Sequence, residues 1–105
     1  MYTPDNWVII EINDGCSSYY KVLAGWSGGY LDGDSWRMNS GITKVTEEEN
    51  HYLFHGFSGS VYKCNKGGEQ LRMNNMHIWA HLKELHGDKV DMIDFKDTNL
   101  VVEME

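Results

Sequence analysis

Hydrophobic and polar positions near the start of the chain alternate with a period of two. From Trp7 to Ile12, Val8, Ile10 and Ile12 fall on one face while Trp7, Ile9 and Glu11 fall on the other, which predicts a strand. Asn13-Asp14-Gly15 follows as a turn signal, because glycine accepts positive φ and Asn and Asp side chains bond their own backbone. Tyr19 to Trp26 then predicts the partner strand of a hairpin, with Tyr20, Val22, Ala24 and Trp26 on one face. The stretch from Ser27 to Asp34 is rich in Gly and Asp and predicts a loop, the centre of a Gly25 to Trp36 segment with aromatics at both ends. Extended segments are expected again at Ser35 to Met38 and Ile42 to Thr46, with a bend or bulge at Ser40-Gly41. A turn at Glu47 to Asn50, a strand from His51 to Phe57, a Ser58-Gly59 turn and a strand from Ser60 to Asn65 complete an antiparallel meander. Within it Tyr52 and Phe54 share one face, and His51, Leu53 and His55 the other.

The period then changes. Ile78, Leu82 and Leu85 recur at i, i+4 and i+7, with Leu71 on the same stripe, so a helix is expected. Asn74 or Asn75 is the expected N-cap and Gly87 the residue that ends it. Val90 to Phe95, a turn at Lys96 to Asn99, and Leu100 to Met104 predict a closing hairpin. The expected class is α+β: a mostly antiparallel sheet of about six to seven strands with one helix packed on it.

With 105 residues, 41% of them hydrophobic and 24% charged, the chain fits one compact domain, residues 1–105, and not a disordered segment. Its longest apolar run, Trp7 to Ile10, is far short of the roughly 20 residues that span a bilayer. With no signal-peptide pattern, two cysteines and six methionines, the sequence suits a reducing cytoplasm with free thiols. Sixteen acidic against nine basic residues leave a net charge of −7, which disfavours a nucleic-acid partner because such affinity comes largely from Lys and Arg. A mimic of DNA would need longer acidic blocks than Glu47-Glu48-Glu49, which suits a solvated turn.

Three groups of residues bear on function. The Gly25 to Trp36 stretch places Trp26, Tyr30 and Trp36 beside Asp32 and Asp34, a composition suited to anchoring a protein partner or stacking on a ligand. Asp32 and Asp34 resemble a fragment of a calcium loop whose other ligands are missing. His77 and His81, four apart on the expected helix, with Cys64 ahead of them, match half of a Cys₂His₂ zinc spacing. The other half is absent, and the edge of a helical stripe is the simpler place for both histidines, so no metal or other cofactor is expected. Gly56-Phe57-Ser58-Gly59-Ser60 departs from the nucleophile elbow at its last position and lies between strands, so a serine-rich turn is expected. His51 and His55, some 13 Å apart along a strand, cannot share one ion, and a cross-strand polar contact is expected of His55. No nucleophile, base and orienter can be named together, so the chain is read as non-enzymatic.

Lys21-Val22-Leu23-Ala24-Gly25-Trp26-Ser27-Gly28-Gly29 and the segment from Leu53 to Cys64 (Leu-Phe-His-Gly-Phe-Ser-Gly-Ser-Val-Tyr-Lys-Cys) resemble small uncharacterised proteins of T4-like tailed bacteriophages. The resemblance covers the middle of the chain and the helix and implies no catalytic residues. It implies a setting: a small acidic protein made in the cytoplasm of an infected host, devoted to host takeover or counter-defence. The leading expectation is a protein that binds a host protein through Trp26, Tyr30, Asp32, Asp34 and Trp36. The alternatives are a binder of a small, anionic, nucleotide-like ligand using the same aromatics, and a zinc-binding domain through Cys64, His77 and His81. A homo-oligomer is compatible with each.

Overall fold

The computed structural model describes residues 1–29 and 33–104. Among them are eight strands: β1 (Asn6–Asn13), β2 (Ser18–Gly29), β3 (Gly33–Met38), β4 (Ile42–Glu47), β5 (His51–Gly56), β6 (Val61–Asn65), β7 (Val90–Ile93) and β8 (Val102–Met104). One α-helix, α1, covers Met73–His86. The α+β class holds. The strands divide into two four-stranded sheets, ordered β3-β2-β1-β7 and β6-β5-β4-β8.

The period-two pattern of the first hairpin is what builds the layers. β1 and β2 pair from Asn6↔Gly25 to Asn13↔Ser18, so Trp7, Ile9, Tyr20, Val22 and Ala24 share one face. That face meets Val45, Phe54, Tyr62 and Cys64 of the second sheet to form the larger core. Its centre is aromatic: Trp7 lies 5.2 Å from Phe54, Phe54 5.3 Å from Phe95, and Phe95 4.4 Å from Tyr52, centroid to centroid. The buried Trp7 indole N–H donates to the Asn65 carbonyl at 2.7 Å, so its polar edge is satisfied. On the opposite face Val8, Ile10, Leu23 and Val90 are covered by Ile78, Trp79 and Leu82 of α1. The result is three layers: helix, sheet, sheet.

Three expectations are corrected. Val90–Ile93 and Val102–Met104 are not a hairpin: β7 pairs antiparallel with β1 in the first sheet, and β8 pairs parallel with β4 in the second. Phe95 is the cause. Its ring is buried in the inter-sheet core and its N–H donates to Glu69 Oε2 at 2.7 Å, so the chain must cross between sheets there. The Gly25 to Trp36 stretch is not a long loop, because β2 runs on to Gly29 and β3 starts at Gly33, with an irregular register between Trp26 and Gly29. Its glycines mark a bulge and a close approach rather than loop. The helix begins two or three residues earlier than an Asn74 or Asn75 cap implies, with Arg72 as N-cap and Leu71 just outside it, and it ends at Gly87, whose φ of +53° suits glycine. Its buried stripe is tilted away from Leu85, which is 61% exposed, toward Trp79.

Candidate functional site

Asn6, Asn74 and Asn75 are all buried and hold the helix start to the sheet. The Asn6 Nδ2 amide lies 3.0 Å from Asn74 Oδ1, 3.2 Å from Asn75 Oδ1 and 3.2 Å from the Gln70 carbonyl, and donates toward all three. In return Asn74 Nδ2 donates to Asn6 Oδ1 at 2.6 Å, and Asn75 Nδ2 donates to the Leu23 carbonyl at 3.3 Å. Asn75 Oδ1 also accepts the Arg72 N–H at 2.9 Å, so it caps the helix from inside its first turn. Burying three amides is tolerable because each finds partners.

This docking requires Gly25. A Cβ there would lie 2.1 Å from Asn74 Oδ1 and 2.5 Å from its Cγ. Gly25 pairs with Trp36, and Leu23 with Met38, so Trp36 stands on the helix side of the sheet, next to where Asn74 seats. It is 44% exposed on β3, the outermost strand. Lys83 reaches the Val90 carbonyl at 2.8 Å and Asp91 at 3.1 Å on β7. The opposite flank of α1, carrying Asn74, His77 and His81, therefore looks toward β3. His77 and His81 are exposed, and Met73, just before Asn74, is 84% exposed. Trp36 and the histidine pair, separate in the sequence, thus fall toward the same β3 edge of the sheet.

Other expected partners are not brought together. Trp26 lies on the inter-sheet side, half-buried, its ring 6.4 Å from that of Tyr2 and its indole N–H donating to the Thr3 carbonyl at 3.2 Å. Trp26 and Trp36 are thus on opposite faces of one sheet and do not form a single stacking platform. Asp34 lies in β3, while Tyr30 and Asp32 lie outside the described residues. Cys64 is fully buried between the sheets, and that burial pushes its thiol pKa well up. The first sheet separates it from His77 and His81, so the zinc triad does not assemble. Among the described residues no three His, Cys, Asp or Glu side chains gather where they could hold a metal ion. His55 Nε2 lies 3.2 Å from Thr46 Oγ1, the cross-strand contact expected of it.

The asparagine network went unread in the sequence, although a signal was there. Asn6 precedes Val8, Ile10 and Ile12 at the same period of two, a polar residue on the helix-facing stripe. No family model, curated protein or solved structure matches this chain. No helix among the described residues is long and apolar enough to cross a membrane.

Proposed function

We propose that this chain acts by binding another protein, through Trp36 and the flank of α1 that carries His77 and His81. The observation that carries the reading is that a tryptophan stays 44% exposed on the edge strand, beside the seat of Asn74. The buried asparagine network fixes the helix start, and β2 holds Trp36 in register. Aromatic and Met side chains are enriched at the cores of protein interfaces, where one preorganised anchor carries a large share of the affinity. With a net charge of −7, the partner surface is basic around an apolar recess, and opposite charge speeds the encounter. Following the resemblance to proteins of T4-like phages, the partner is a protein of the infected bacterium, and capturing it serves host takeover or counter-defence.

The test uses tagged chain in host lysate, comparing the parent with Trp36→Ala. The expected result is one host protein retained in near-equal amount by the parent and lost by the variant, with both melting at similar temperatures. Retention of the same protein by a folded Trp36→Ala variant counts against this surface.

A further inference from the structure

We propose that a second site, at the other end of α1, binds a small amphipathic carboxylate. A groove of about 330 Å³ opens there between the last turn of the helix and the β1–β2 hairpin, within the range of about 300–1,000 Å³ usual for small-molecule sites. Its floor is apolar, formed by Ile12, Met38, Leu82 and Val90. These side chains sit where the helix cover thins out, after the stripe of α1 has turned away from Leu85. The register places Tyr19 opposite Ile12 and Lys21 opposite Ile10, which turns both toward the helix. The Lys21 ammonium lies 6.0 Å from the centre of the Tyr19 ring.

The rim is basic in a chain that is otherwise acidic. Lys21, His86 and Lys89 border the groove. Among the described residues Lys44, Lys63, Lys66 and Lys83 each pair with a carboxylate, whereas Lys21, Lys89 and Lys96 do not, and of these three only Lys96 lies away from the groove. Two lysines with no carboxylate of their own among the described residues therefore border this apolar recess. The Asp14 carboxylate also borders it, but it accepts the backbone N–H groups of Cys16 at 3.1 Å and Ser17 at 3.0 Å. Those bonds, Ser17's first, hold its pKa below the usual carboxylate range, so Asp14 stays anionic with its Oδ1 engaged by its own turn. An apolar floor with an unmatched pair of ammonium groups at its mouth fits a ligand with one acidic head and an aromatic or short acyl body.

Amide NMR titration of the full chain tests this with sodium octanoate, 2-naphthoate and the neutral 1-octanol. The expected result is saturable shifts confined to residues around Ile12, Tyr19, Met38 and Val90. At least one carboxylate should bind about tenfold or more tightly than octanol, and which one does so distinguishes an acyl from an aromatic body. A Lys21→Gln/Lys89→Gln variant, its fold verified by the same spectra, should lose that preference and keep octanol binding. Shifts scattered over the surface, or none at millimolar ligand, overturn the site. Equal binding of octanol, or a preference that survives in the double variant, overturns the acidic head.

Discussion

The two faces of the first sheet are held by different physics. The face toward the second sheet is packed by rings, with Trp7 and Phe95 each touching both Tyr52 and Phe54. The face toward the helix has a smaller apolar cluster and adds a buried amide network at one end. Apolar packing tolerates substitution as long as volume is kept. An amide network demands each partner at its place, since an orphaned buried group costs its full desolvation. Hence the inter-sheet face supplies the bulk of the stability, while the helix face supplies orientation: it fixes where Trp36 and Met73 stand.

The largest effect should come from the ring-packed face. Phe54 is fully buried, and Phe54→Ala should cost about 3–5 kcal/mol, against a total stability of about 5–15 kcal/mol for a domain. Chemical denaturation measures this, and a loss no greater than that of Leu82→Ala would erase the contrast between the faces. Leu82 is only half-buried, so its truncation should cost less than the roughly 2–5 kcal/mol of a buried leucine.

The amide network is probed by a cycle instead of a single change. Gly25→Ala drives a Cβ into Asn74 and should cost about 1–3 kcal/mol, as overpacking does. In an Asn74→Ala background the obstacle is gone, so the added cost of Gly25→Ala should shrink. Contacting residues couple by about 0.5–3 kcal/mol, and strict additivity in denaturation would show that Gly25 does not seat the helix. The same variants should weaken partner capture, because Trp36 and α1 would lose their fixed relation.

The contrast between the faces also sorts what could be read from the sequence. The strands of the first hairpin, and the facing of Tyr52 and Phe54, follow from alternation, which is local. The helix was visible from Ile78 and Leu82 for the same reason. What escaped was non-local. Asn6 and Asn74 are 68 residues apart, and an Asn near a helix start reads locally as a cap. The separation of β7 from β8 depends on Phe95 finding a core built from other strands. Trp36 was singled out for its composition, yet its separation from Trp26 follows only from the Gly25↔Trp36 register.

The smallest effect lies at the open edge of the ring-packed face, where Glu69 meets Phe95. Burial is the main cause that raises the Glu69 pKa above the ordinary value of 4.5, and the N–H of Phe95 opposes it. The sign follows from proton counting. Between the unfolded pKa near 4.5 and the higher folded one, the folded chain holds more protons, so stability falls as pH rises through that window. Glu69→Gln keeps an acceptor for the Phe95 N–H and carries no charge to desolvate. It should therefore match the parent below the unfolded pKa and melt at a slightly higher temperature at neutral pH, the gap opening as pH rises. Melts from acidic to neutral pH read this directly. A gap that is constant across the range would mean that burial and the bond to Phe95 cancel. One that favours the parent at neutral pH would mean that the bond outweighs burial, and that this edge of the aromatic core is fastened by a charged acceptor, unlike the neutral amides at the polar end of the other face.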